Sequence, residues 1–138
     1  MSLFNVFDIS GSAMGAQSLR MNLTASNIAN ADSVAGDEKD AYKSRQPVFS
    51  SVMESMGNSN GEGGVKMVAV VESQASHNKR YEPGNPMAND EGYIFDSNVN
   101  IIEEMTNMIS ASRSYQNNVE IINTSKDMLL KTLKLGNG

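Results

Sequence analysis

Residues Val99 to Leu135 read VNIIEEMTNMISASRSYQNNVEIINTSKDMLLKTLKL, a run without glycine or proline. A stretch this long with no breaker predicts one continuous helix, about 50 Å at 1.5 Å per residue. Along the alternating three-four track Ile101, Met105, Met108, Ser112, Tyr115, Val119, Ile122, Lys126, Leu129 and Leu133, eight of ten positions are apolar. That spacing marks a seam along which a second helix can lie. The charges follow the helix dipole, with Glu103 and Glu104 near the start and Lys126, Lys131 and Lys134 near the end. Asn98 is the expected N-cap, and Gly136 supplies a stop.

The same device recurs at the other end of the chain. Phe7, Met14, Met21 and Ile28 repeat at a strict seven, with Phe4, Gly11, Ser18 and Ala25 interleaved. Large and small residues alternate, so a neighbouring helix could approach closely at Gly11 and Ser18. The other face carries Ser10, Ser12, Gln17, Asn22, Ser26 and Asn27 where a solvated helix normally carries Lys and Glu.

Between these ends the chain changes character. All three prolines and seven of eleven glycines fall in residues 36–98, so the middle cannot be a long helix. The net charge of −5 divides as −1 for residues 1–35, −4 for 36–98 and 0 for 99–138. Val65 to Val71 is rich in β-branched residues and predicts a strand, with Val48 to Met53 as a weaker partner and Gly92 to Phe95 as a third. Gly57 to Gly64 reads as a turn-rich, mobile stretch. The expected division is therefore 1–35, 36–98 and 99–138, two helical ends around a small β-rich domain.

Composition narrows the function classes. The acidic balance and a sequence pI near 4.8 argue against a nucleic-acid binder working through phosphate contacts. Zero cysteines removes disulfides, thiolate zinc sites and cysteine nucleophiles together. No apolar run reaches the roughly 18 residues of a membrane span, and no charged n-region precedes the mildly apolar start, so the chain is expected to be soluble and to lack a secretory signal. Eighteen serines and sixteen asparagines make about a quarter of the chain, thin material for a self-sufficient core.

Candidate chemistry is sparse. His77 is the lone histidine and has Ser76, Asn78, Lys79 and Arg80 beside it, which reads as an exposed loop residue rather than a base or metal ligand. Glu103 and Glu104 are adjacent on a helix and point in different directions, which removes them as a facing acid-base pair. Gly61 to Gly64 lacks the following lysine and hydroxyl residue of a phosphate loop, and Asp37, Glu38 and Asp40 lack the spacing of a calcium loop. The sequons at Asn22 and Asn123 fall within helices and read as accidental. The ten methionines are accounted for first by core packing along the seams. No catalytic residue, metal site or cofactor is expected.

Two segments carry a family resemblance. Ala25-Ser26-Asn27-Ile28-Ala29-Asn30-Ala31-Asp32-Ser33-Val34-Ala35-Gly36 resembles the N-terminal signature of bacterial flagellar rod, hook and related axial proteins, and Glu103 to Val119 resembles their C-terminal signature. The short length and the stretch Tyr81 to Pro86 are similar to the short proximal-rod members. The chain departs from the wider family pattern by placing Asp37 to Ala41 between Gly36 and the aromatic Tyr42.

The resemblance implies an α+β fold, with long N- and C-terminal helices pairing as an antiparallel coiled coil around a small β-rich middle domain. It implies a structural subunit of the basal-body proximal rod, part of a helical hetero-assembly that crosses the periplasm and transmits torque. Expected partners are other proximal-rod and distal-rod subunits, the basal-body base and surrounding ring, and the flagellar type III export apparatus, with export requiring no cleaved signal peptide. The expected assembly interface is Phe7, Met14, Met21, Ile28, Met105, Met108, Tyr115, Val119 and Ile122 along the seams, with Asn27, Asn30 and Arg113 as polar contacts. The competing expectation is a soluble coiled-coil adaptor or chaperone-like binding protein.

Overall fold

The computed structural model describes residues 3–52 and 63–136. The glycine-rich stretch from Gly57 lies, up to residue 62, outside the described residues, as does Met53 at the end of the weaker strand expectation.

Helix α1 spans Leu3–Ala29 and helix α2 spans Ile101–Gly136, with five strands between them. The helices pack on one another, and the Arg20 guanidinium donates to Asn107 Oδ1 across the pair at 3.0 Å. Ser44, which accepts from Asn27 on α1, in turn donates to Glu104 on α2. Position 27 thus matches 104 while 20 matches 107, so the pair is antiparallel, as the sequence implied.

Asn30 ends α1. Its amide nitrogen returns to Ser26 O and Asn27 O, its side chain donates to Ser26 O at 2.8 Å, and Ser33 Oγ donates to Asn30 O at 2.7 Å. These bonds satisfy carbonyls that the last turn would leave open.

The start of α2 corrects the sequence reading. Asn100, not Asn98, is the cap, because its Oδ1 accepts from Ile102 N at 3.1 Å and Glu103 N at 3.4 Å. Asn98 is held elsewhere: its Oδ1 accepts from Ser44 N at 2.7 Å, and its Nδ2 donates to Ala75 O at 2.9 Å and Ser73 O at 3.4 Å.

Strands β2 (Arg45–Val52) and β3 (Gly64–Glu72) form an antiparallel hairpin with an irregularity between Val48 and Phe49, matching the two expected strands. The hairpin lies along α1, where Ser12 Oγ accepts from Val65 N at 3.2 Å. A Cβ at Gly64 would sit 2.8 Å from that same oxygen, so a side chain there would displace the Ser12 hydroxyl that holds Val65.

The third expected strand, β5 (Tyr93–Asp96), belongs to a separate sheet. It runs between β1 (Val34–Ala35) and β4 (Lys79–Tyr81), two strands too short to show a period. Ile94 at its centre is fully buried. The turn into β5 depends on Gly92, whose φ of +79° suits glycine and whose Cβ would meet Tyr81 Cε2 at 2.9 Å.

His77 is not the exposed loop residue expected. It is half-buried, its Nδ1 lies 2.9 Å from Asp96 O, and its Nε2 is buried without a partner. The imidazole sits at the end of the central strand of the small sheet.

Candidate assembly interface

The helix pair buries little that is large and apolar. Among the described residues the buried apolar set is Ala16, Ala35, Ala41, Ile94 and Ala111, and the largest fully buried side chains are Ile94 and Asn27.

On each helix the buried row sits one residue before the row that the periodicity selects. On α1 Ser10, Thr24 and Asn27 are buried, each one residue before Gly11, Ala25 and Ile28, while the buried Ala16 lies outside that row. On α2 they are Glu104, Ala111 and Ser125, while Met105 and Lys126 are exposed. With about 100° per residue, the inward line on α2 is turned by about 50° from the expected seam. Met108, Tyr115, Ile122 and Leu129 belong to both lines and are half-buried.

Phe7, Met14, Met21 and Ile28 are half-buried, as is Val119. Met105 is 53% exposed, and Arg113 is exposed. Asn30 is half-buried and its amide is given to Ser26 O. The rotation leaves an apolar face outside the pair: Ile102 is 77% exposed, and Met105 and Ile109 are each 53% exposed on the same side of α2. Seventeen residues separate Leu3 from Arg20, so Leu3 lies opposite about residue 124 in this antiparallel pair. Beyond it α2 continues with exposed Met128, Leu130, Leu133 and Leu135. Patches of this kind mark contact surfaces.

The polar face of α1 turns inward on its own chain. Ser26 Oγ lies 3.3 Å from Tyr42 Oη, and Ser12 holds the hairpin. Asn27 is the centre of a junction that the sequence reading missed. Its Oδ1 accepts from Tyr42 Oη at 3.0 Å and Arg45 N at 2.9 Å, and its Nδ2 donates to Arg45 O at 2.9 Å and Ser44 Oγ at 3.3 Å. Two donors and two acceptors exhaust a carboxamide, so Asn27 has nothing left for a neighbouring subunit. That replaces its expected role as an intersubunit contact.

Ser44 carries the junction to α2, donating to the buried Glu104 Oε1 at 3.4 Å. Tyr42 reaches Asn27 because Asp37–Ala41 folds into a turn, with Ala41 N and Asp40 N bonded to Asp37 O and Ala41 buried. Beside the junction a cleft of about 260 Å³ opens between α1, β2 and α2, edged by Arg20, Arg45, Glu103 and Glu104. Among the described residues no group of three or more metal-ligating side chains comes together, and no helix is long and apolar enough to cross a membrane.

A paired-helix frame with a small β insert and exposed apolar helix faces is the build of a structural, assembling protein. Two family descriptions match its ends: a flagellar basal body rod protein over residues 7–36 and the C-terminal region of the FlgEFG basal body rod proteins over residues 90–135. The chain is 53% identical over 136 residues, 99% of each chain, to the flagellar basal-body rod protein FlgC of Salmonella typhimurium. It is 54% identical over 99% of each chain to FlgC of Escherichia coli O157:H7, and 47% identical over 98% to that of Buchnera aphidicola from Acyrthosiphon pisum. The chain belongs to the flagellar basal-body rod protein family, whose members are structural components of the flagellum and not enzymes. It is a basal-body rod component that assembles with other flagellar proteins, and the adaptor reading is not favoured.

Proposed function

We propose that the chain is a subunit of the proximal rod and assembles through its paired terminal helices into a hollow, periplasm-crossing shaft that transmits motor torque. The observation that supports this reading most strongly is the apolar face of α2, Ile102, Met105 and Ile109, which the chain leaves uncovered. In a coiled-coil-like wall each pair is completed by its neighbours, and burial that a lone subunit lacks is supplied laterally.

The interface comprises Phe7, Met14, Met21, Ile28, Met105, Met108, Tyr115, Val119 and Ile122, with Asn30 and Arg113 as its polar members. Residues 1–35 and 99–138 form the inner part and 36–98 the outer part. The neighbours are other proximal-rod and distal-rod subunits, the base and surrounding ring, and the type III export apparatus, which passes the chain without cleaving a signal peptide.

With so few buried apolar side chains, the terminal helices are loosely ordered in the free monomer away from the Asn27 junction and become ordered along their length on assembly. Hydrogen exchange on the purified chain tests this, and strong protection throughout residues 5 to 30 and 100 to 134 would reject it. Light scattering should find a monomer, whereas a stable small oligomer would restore the adaptor reading. Cysteine cross-linking in isolated basal bodies tests the interface itself: cross-links from Met105 or Arg113 to a neighbouring subunit are expected, and their absence would remove the lateral contact.

A further inference from the structure

We propose that Asn27 is a positioning residue that selects one register of α1 against α2 from several that packing alone would accept. The inward faces of both helices repeat every seven residues in character, polar on α1 and apolar on α2. On α1 Ser10, Gln17 and Thr24 succeed one another, and on α2 Met108, Tyr115 and Ile122 do so. A slip by one heptad, about 10.5 Å, therefore sets like against like, and a seam of small and flexible residues carries no strong objection to it.

The junction does object. Asn27 is 1% exposed and all four of its hydrogen-bonding positions are used within Tyr42–Arg45. Ser44 then ties that segment to Glu104 on α2, and to Asn98 two residues before the Asn100 cap. A one-heptad slip in one direction brings Arg20 to the place of Asn27, and a slip in the other, the one that sets Arg20 against Ser114, brings Ala111 to the place of Glu104. Neither can replace its counterpart: a guanidinium has no acceptor for Arg45 N, and a methyl cannot accept from the Ser44 hydroxyl. A slipped pair would bury unpaired polar groups, and a single buried asparagine that fixes helix register is the best-attested use of such a residue.

The native chain has no cysteines, so two thiols can be introduced cleanly. Arg20→Cys with Asn107→Cys reports the observed register, and Arg20→Cys with Ser114→Cys reports the one-heptad slip. Both pairs also remove the Arg20–Asn107 hydrogen bond, leaving register to the junction. The full-length chain is treated in cells and after purification with a thiol-to-thiol linker shorter than the slip, and intramolecular products are counted by mass spectrometry. In the otherwise unaltered chain the 20–107 product should exceed the 20–114 product by about tenfold or more, and Asn27→Ala should reduce that ratio several-fold. Thr24→Ala, which removes another buried polar group from α1, should leave the ratio unchanged. If Asn27→Ala does not accumulate, Ser44→Ala severs the link to Glu104 together with one of the four bonds of Asn27, and should move the ratio in the same direction. An unchanged ratio in either the Asn27 or the Ser44 variant, or an equal change in Thr24→Ala, overturns the proposal.

Discussion

The helix pair and the junction beside it are built on opposite principles. Along the pair, contact is repetitive: Ala16, Ala111, Ser10 and Ser125 are small and buried, larger side chains lie half-covered at the margins, and among the described residues the side-chain hydrogen bond directly between the helices is Arg20 to Asn107. At the junction, contact is singular. Asn27, Tyr42, Ser44, Asn98 and Glu104 are each held by particular hydrogen-bonding partners. Generic packing gives a surface that further helices can join, and the polar junction fixes where that surface points.

That contrast is exposed to test, beginning where the effect is largest. Asn27→Ala should cost about 3 kcal/mol in urea unfolding of the full-length chain, since it removes the partners of Arg45 N and Arg45 O, one partner of the Tyr42 hydroxyl and a buried carboxamide. A loss below about 1 kcal/mol would show the junction to be as generic as the seam. Gly92→Ala should cost about 2 kcal/mol, because φ +79° is strained for alanine and the methyl meets Tyr81. Its damage should appear in amide exchange of β4 and β5 and leave the helix pair unaffected. Asn100→Ala should cost about 1 kcal/mol through the lost cap, and a larger loss in Asn98→Ala would confirm that tertiary contact, not capping, is the heavier duty. Ile102→Asp should change the stability of the isolated chain by less than about 0.5 kcal/mol, yet abolish incorporation into basal bodies. Normal motility in that variant would break the division between an open seam and a closed junction.

Much of this contrast was legible in the sequence, and unevenly so. The absence of breakers from Val99 to Leu135 and the β-branched run Val65 to Val71 are local signals, and both became the elements they predicted. The direction in which the helices face was not legible to the same degree. Periodicity finds an apolar line but does not say which of its edges meets the partner, and close approach favoured the small row holding Ala111 over the methionine row holding Met105. Asn98 and Asn100 are equally good caps by type, and only the carbonyls of Ser73 and Ala75, distant in sequence, decided between them. Tyr42 and Ser44 carry no motif at all. Their role exists only because the Asp37–Ala41 turn delivers them to Asn27.

A chain made to polymerise must also avoid polymerising wrongly, and the hairpin bears on this. Its strands are eight and nine residues long, with Val68 65% exposed and Val71 50% exposed, the composition of an edge that recruits stray strands. Pro47 removes a donor from β2, the irregularity between Val48 and Phe49 bends the same strand, and Ser12 occupies the amide of Val65 where β3 begins. Stacking of hairpins into fibres is thereby obstructed while the helices stay open for lateral joining. In the proposed helical wall, growth would then run through the helices, with amyloid-like stacking hindered within the same short sequence.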